Sequence, residues 1–234
     1  MPSVLVTGAS RGIGRVTALR LAARGFDVTA GVRRAEDGES LQQDSAGRVR
    51  PVILDVTNPE HIDGLRQTVL PAIRAATGRI VFVSSLSGRI STPMTGAYNA
   101  SKFALEALAD ALRIEVRPWR IPVVLVEPAQ TDTDMWRTAD QLLEESIAGL
   151  APEHRDLYAK HIDGQRRSIP RSQKMAAPAE GVAAIVEKAL TARRPKARYV
   201  VGAGPRIMGL VGRHLPPRVA DPVFAAATGV PRRP

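Results

Sequence analysis

The chain has 234 residues, 44% of them hydrophobic and 24% charged, the composition of an ordinary globular protein with enough length for a sizeable core. It has no cysteine, which excludes disulfides, iron–sulfur clusters and cysteine-based zinc sites, and His61, His154, His161 and His214 show no metal-ligand spacing. The net charge of +10 is concentrated at one end: residues 191–234 hold nine Arg and Lys against a single acid, Asp221.

In chain order, Val4-Leu5-Val6 is a short apolar run before a glycine-rich turn, and residues 12–25 read as a helix with Ile13, Val16, Leu19 and Leu21 on one face. A strand over Asp27–Val32 follows, then a polar helix over 35–47 and a third strand over Pro51–Val56. The helix near 59–76 contains Pro71 and is expected to kink or break there. Arg79–Ser84 is a strand with little polar interruption, 98–117 a long amphipathic helix, Ile121–Val126 a buried-type strand and Arg198–Val201 the last strand. Between these last two, 134–192 is mostly helical and more polar. Continuously apolar strands alternating with helices imply an α/β fold with a parallel sheet covered on both faces. No apolar run nears the about 18 residues of a membrane span. The N-terminus enters a strand without a basic n-region, so no signal peptide and a cytoplasmic location are expected. The basic C-terminal segment reads as a solvated tail, with peripheral contact to an anionic membrane surface or acidic partner as the alternative. It lacks interleaved aromatics, which argues against nucleic acid.

The first strand leads into Thr7-Gly8-Ala9-Ser10-Arg11-Gly12-Ile13-Gly14. Glycines there let the backbone turn tightly and approach a pyrophosphate, and the helix that opens at once offers free N–H groups and a positive dipole end. Further on, Tyr98 and Lys102 stand four apart at the start of a helix and share a face. A phenol with pKa near 10 is a poor base at neutral pH, and a nearby ammonium favours its phenolate. Such a pair can pass a proton to or from a substrate oxygen.

The Thr-Gly-x-x-x-Gly-x-Gly turn, Asp55-Val56 after the third strand, Ser84-Ser85, Tyr98-Asn-Ala-Ser-Lys102 and Val126-Glu-Pro128-Ala-Gln-Thr131-Asp-Thr133 occur in this order. Through them most of the chain resembles the short-chain dehydrogenase/reductase family. The resemblance implies a single Rossmann-type doubly wound parallel sheet and an NAD(P)(H)-dependent alcohol/ketone oxidoreductase. It assigns catalysis to Ser85, Tyr98 and Lys102. Cofactor binding falls to Gly8, Ser10, Arg11, Gly12, Ile13, Gly14, Arg33, Asp55, Val56, Tyr98, Lys102, Pro128, Thr131 and Thr133. The second strand ends Gly31-Val32-Arg33-Arg34 without the acid that accepts a ribose 2′-hydroxyl, and Arg11 precedes the second glycine. Basic residues at these places resemble a 2′-phosphate clamp, so NADP(H) is favoured over NAD(H). Ala129 stands where the family usually has Gly.

Only 28 residues lie between Asp55 and Ser84, and no Asn-Asn-Ala-Gly occurs anywhere. Measured against the family, the chain lacks roughly 40 residues, about one strand and one helix, with the join within 57–68. Closing the gap would pair the family's fifth strand with the first, giving the order 3-2-1-5-6-7. Asn58 lies 27 residues before Ser85, close to the spacing of the family's catalytic Asn, but Asp-Val-Thr-Asn-Pro-Glu also reads as a helix N-cap.

The segment from Ala189 to Gly202, with Arg213-His-Leu-Pro-Pro-Arg218 after it, resembles the hydroxysteroid and retinol dehydrogenase-like branch. That branch implies a lipophilic substrate, steroid- or retinoid-like, and a homo-oligomer. Residues 1–203 would be the nucleotide-binding domain, including a substrate lid over 134–178 with Met135 and Trp136 at its hinge, and 204–234 a basic extension. Because a strand and a helix are absent, two alternatives accompany this reading: a catalytically impaired protein that binds nucleotide or a partner, and a shortened version of an active enzyme.

Overall fold

The computed structural model describes residues 1–231, so Arg232 and Arg233 of the basic segment lie outside the described residues. The chain begins β1 (Ser3–Val6), α1 (Gly12–Ala23), β2 (Asp27–Val32), α2 (Ala35–Asp44), β3 (Val49–Ile53), α3 (Pro59–Ala75) and β4 (Ile80–Val83). A single 3-10 turn, Leu86–Gly88, precedes α4 (Gly96–Glu115), and β5 (Val123–Glu127) and β6 (Thr131–Asp132) follow. Four helices come next: α5 (Asp134–Arg137), α6 (Ala139–Ala148), α7 (Pro152–Leu157) and α8 (Ala159–Lys174). The chain continues with β7 (Ala177–Pro178), α9 (Ala179–Thr191), β8 (Arg198–Val200), α10 (Ala203–His214) and α11 (Pro217–Thr228). The described part of the basic C-terminal segment is thus largely helical.

Two compact units share the chain. The first comprises Met1–Val83, Ala107–Val126 and Pro178–Tyr199. The second comprises Ser84–Glu106, Glu127–Ala177 and the described part of 200–234.

In the first unit β1, β2 and β3 are parallel, with Val4 opposite Val28 and Val28 opposite Val49. Alternate residues Val28, Ala30 and Val32 meet Ala18, Leu21 and Ala22 of α1 and Leu41 of α2 in one core. The β4 and β5 strands are also parallel, with Ile80 opposite Val123, and β8 joins the far side of β5. Helix α9 serves both sheets. Leu190 packs against the first core, while Ala189 and Ile185 pack with Val124 and Tyr199. Glu187 on the same helix takes Arg20 of α1 at 2.6 Å and Arg24 at 3.3 Å.

The expected direct pairing of the first strand with Ile80–Val83 is not found. The described residues form two three-stranded sheets, β1-β2-β3 and β4-β5-β8, plus the short β6-β7 pair. Each half keeps the expected internal order, but there is no ladder between β1 and β4. Their burial fits this: Val4–Val6 and Ile80–Val83 are only half-buried, whereas every residue of β5 is buried. The physical reason is helix packing. Leu190 and Ala189 of α9 fill different cores, so the two sheets are joined through a shared helix rather than through a ladder. Arg79, just before β4, also donates to the Ala189 carbonyl of α9 at 2.7 Å.

Helix α3 runs through Pro71 without breaking. It has no fully buried residue, so a carbonyl displaced by the ring can turn to water. β3 begins before Pro51, two residues earlier than expected. A proline fits here because β3 is an edge strand, paired only with β2.

In the second unit α8 packs on α6 and α11. Arg166 forks onto both carboxylate oxygens of Glu144 at 2.7 and 2.8 Å, and Gln165 donates to the Thr228 carbonyl at 2.9 Å.

Candidate active site

The phosphate turn lies in the first unit, between β1 and α1. Gly8 and Gly12 have φ of +65° and +56°, a region that favours glycine. A Cβ on Gly14 would lie 2.9 Å from the Gly8 carbonyl carbon and 3.2 Å from Ala9 Cα, and nearer still to the Gly8 oxygen. Ala9 is fully buried and its N–H donates to the Gly31 carbonyl at 2.9 Å, fastening the turn to β2. Arg11 is the extended N-cap residue of α1, and no acid lies in the first turn of that helix. Arg15 reaches back to the Ser10 carbonyl while also meeting Asp44 at 2.6 Å. These features fit a dinucleotide pyrophosphate: a cradle that a side chain would fill, and a helix N-terminus with no side-chain cap and no acid in its first turn.

Arg33 is exposed just after β2, and Arg34 pairs with Asp37 at 3.4 Å. Past β3, Asp55 accepts from the Thr57 N–H at 2.9 Å and the Thr57 hydroxyl at 2.8 Å. Those two bonds, with smaller help from Arg33 and His61, hold its carboxyl below the ordinary value. Its own N–H donates to His61 Nδ1 at 3.1 Å. Val56 is exposed. Asn58 accepts from the Glu60 N–H at 2.9 Å and caps α3, which realises the N-cap reading.

The second unit holds the expected catalytic residues. Tyr98 and Lys102 occupy the first turns of α4, with the Lys102 ammonium 5.7 Å from the centre of the Tyr98 ring. Tyr98 is 39% exposed, while burial pushes the Lys102 ammonium below its ordinary pKa. Buried Asn99 donates to the Thr92 carbonyl at 2.8 Å, tying the loop before α4 to the helix.

Ser84 and Ser85 are buried at the end of β4. Ser85 caps the 3-10 turn by accepting from the Ser87 N–H at 3.1 Å, and its hydroxyl stands 3.5 Å from the Pro128 carbonyl. That carbonyl also accepts the Leu86 N–H at 2.8 Å. A Cβ on Gly88 would meet Glu106 Cγ at 2.9 Å, the Lys102 carbonyl at 3.1 Å and Ser84 Oγ at 3.2 Å. The structure therefore brings the serine turn against the Lys102–Glu106 stretch of the helix bearing Tyr98. Thr131 is buried with its hydroxyl on the Ala129 carbonyl, and Thr133 stands at the N-cap of α5.

Met135 is exposed, and the Trp136 carbonyl accepts from Gln173 at 2.8 Å. A largely apolar cleft of about 640 Å³ lies elsewhere in the unit, along Pro93, Met94, Asn99, Phe103 and Phe224. Sequence reasoning gave no role to Arg89 and Glu127, whose side chains stand 3.1 Å apart. The available signal was an acid at the end of an otherwise apolar buried strand, Val123–Glu127.

The glycine turn and the Tyr98–Lys102 pair fit one class, the dinucleotide-dependent α/β oxidoreductases. The family model for short chain dehydrogenases matches residues 2–70 and again 64–143, two stretches that meet within α3. Retinol dehydrogenase 5 of Mus musculus is 28% identical over 277 residues, 94% of this chain and 87% of that protein. An uncharacterized oxidoreductase of Escherichia coli, YbbO, is 31% identical over 272 residues, 95% of this chain and 93% of its own. Both alignments are longer than the 234-residue chain, so these relatives carry residues with no counterpart here. Among solved structures, a short-chain dehydrogenase from Streptomyces avermitilis superposes with a TM-score of 0.69 at 23% identity, over 97% of this chain and 94% of its own. The chain belongs to the short-chain dehydrogenase family of oxidoreductases.

Proposed function

We propose that this protein is an NADP(H)-dependent oxidoreductase that interconverts an alcohol and a ketone or aldehyde on a lipophilic, steroid- or retinoid-like substrate. The observation that carries the reading is the Tyr98–Lys102 pair, a half-exposed phenol with an ammonium 5.7 Å from its ring.

Gly8, Ser10, Arg11, Gly12, Ile13 and Gly14 would hold the pyrophosphate, Arg11 and Arg33 the 2′-phosphate, and Asp55 and Val56 the adenine. Pro128, Thr131 and Thr133 would hold the nicotinamide end. When bound, the nicotinamide supplies or accepts the hydride. Tyr98 delivers a proton to the substrate oxygen in reduction and removes it in oxidation. Lys102 places a positive charge beside the phenol ring, and Ser85 hydrogen-bonds the same oxygen. Support for NADP(H) comes from the cations Arg11 and Arg33 and a second strand that ends without an acid, and from one relative named as an NADPH-dependent 3-dehydrocapnine reductase, of Ornithobacterium rhinotracheale, 26% identical over 96% of each chain. Support for a lipophilic substrate comes from the apolar cleft along Met94, Phe103 and Phe224, and from relatives named retinol and 17-beta-hydroxysteroid dehydrogenases.

The reading includes a lid over 134–178 and a homo-oligomer, for which exposed Leu108 and Ile114 on α4 offer apolar surface. It also includes a cytoplasmic location; no described helix is long and apolar enough to cross a membrane. The alternative reading of peripheral lipid contact falls to the basic C-terminal segment, where Val219 and Val223 of α11 are exposed near Arg218. A strand–helix unit absent at a join within 57–68 is supported by the two-piece family match, whose stretches overlap at 64–70, and by the long alignments. Its loss removes the Asn-Asn-Ala-Gly wall, so turnover should fall below that of full-length relatives.

The test is NADPH oxidation by the purified chain against a panel of lipophilic ketones, and the reverse reaction with the alcohols. Tyr98→Phe should remove nearly all turnover while leaving cofactor binding in place. A Tyr98→Phe variant as active as the parent would overturn the assignment.

A further inference from the structure

Glu127 ends β5 with its side chain fully buried, and the Arg89 guanidinium lies 3.1 Å from its carboxylate. Burying a charge pair is costly, and apolar residues of similar volume would often be at least as stable. Here the carboxylate is fully buried and the Arg89 side chain is 20% exposed, and the pair's geometry fixes the two segments that carry it.

The fixing follows from what each partner is attached to. Arg89 closes the 3-10 turn that Ser85 opens, through Gly88 N–H to the Ser85 carbonyl at 3.0 Å and Arg89 N–H to the Leu86 carbonyl at 2.9 Å. The Leu86 N–H is bound to Pro128, the residue after Glu127, at 2.8 Å. Both ends of the turn are thus fastened to consecutive residues at the end of β5. Glu127 is itself anchored, since its carbonyl accepts the Val201 N–H at 3.0 Å. Opposite, Gly88 lies against Lys102 and Glu106 with no room for a side chain, and Gly209 of α10 covers Leu86, where a Cβ would approach Cδ1 to 2.8 Å. The turn has one seat, and the ion pair is a charge contact at its far end.

We propose that Arg89 and Glu127 are positioning residues for Ser85: their ion pair, with its carboxylate fully buried, holds the Ser85–Arg89 turn so that the serine hydroxyl keeps a fixed place relative to Lys102 and Tyr98. This rests on the reading of Ser85 as a catalytic residue. A displacement of about 1 Å can cost on the order of 100-fold in rate.

The experiment uses the full chain with both charges removed, Arg89→Met together with Glu127→Met, alongside Arg89→Lys, which keeps the charge but loses the planar fork. Amide hydrogen exchange at Leu86 and Ser87, melting temperature and kcat against KM are measured together. The double variant should melt near the parent, while the Leu86 and Ser87 amides exchange at least about tenfold faster. Its kcat should fall on the order of 10- to 100-fold, with KM for NADPH within about twofold of the parent's. Unchanged exchange and kcat would overturn the proposal and leave the pair a packing feature. If the double variant does not fold, Arg89→Lys gives the same decision with a smaller effect. If Ser85→Ala keeps full turnover, or the parent has none, the reading of Ser85 fails instead. The exchange rates then still decide whether the pair holds the turn.

Discussion

Gly14→Ala tests the phosphate turn without relying on turnover. The added Cβ would stand 2.9 Å from the Gly8 carbonyl carbon and 3.2 Å from Ala9 Cα, against an optimum of about 3.5–4.0 Å. The Gly8–Ala9 backbone must therefore withdraw by something near 1 Å. It cannot do so freely, because the Ala9 N–H is bonded to Gly31 at 2.9 Å. Overpacking of this kind costs about 1–3 kcal/mol, which for a chain of this size lowers the melting temperature by roughly 2–12 °C. The same movement spreads the N–H groups that would meet the pyrophosphate. Losing one hydrogen bond to a charged group, about 1.5–3 kcal/mol, weakens NADPH binding about 10- to 100-fold. Fluorescence titration with NADPH and a thermal melt measure the two effects on one sample. Gly64→Ala is the control, since nothing lies within 4 Å of its Cβ position in α3, and it should be neutral or stabilising. NADPH affinity within twofold of the parent's for Gly14→Ala would refute the pyrophosphate cradle.

Arg33→Ala should abolish a preference for NADPH over NADH, read by titrating both cofactors; a preference that survives unchanged would remove the 2′-phosphate clamp. Asp55 should titrate below the ordinary carboxylate value of about 3.9, and Thr57→Ala should raise its midpoint toward that value, followed by NMR. Because its folded pKa is depressed, the stabilisation it brings is present above the ordinary pKa and is lost as pH falls through the folded value. Arg198→Met should likewise raise the pKa of Asp110, which a 2.7 Å bond from Arg198 holds down first, with Arg113 adding to it. Steady-state kcat with the best ketone should lie below the typical range of about 1–10³ s⁻¹, and a value well inside it would show that the absent unit is dispensable.

Legibility followed locality. β2 lies where its apolar run ends at both sides, and α4 starts at Gly96, so Tyr98 and Lys102 share a helix as their spacing requires. Asn58 capped α3 because an Asn-Pro-Glu start leaves little else for its side chain to do. Long-range competition was not legible. The separation of β1 from β4 is decided by α9, whose Leu190 and Ala189 serve different cores, and no local pattern encodes that. Helix α3 passes Pro71 because its faces are never fully buried, a tertiary fact. Arg89 and Glu127 are 38 residues apart, and only the fold makes them a pair.

The most direct test of the central claim is isotope transfer. The purified chain is incubated with NADPH deuterated at the nicotinamide C4 and a lipophilic ketone, and the alcohol is examined by mass spectrometry. The account predicts one deuterium on the carbinol carbon, at a slow rate, and none above background with Tyr98→Phe. NADPH bound at saturation with no deuterated alcohol from any ketone in the panel would contradict it, leaving a nucleotide-binding protein without the chemistry of its family.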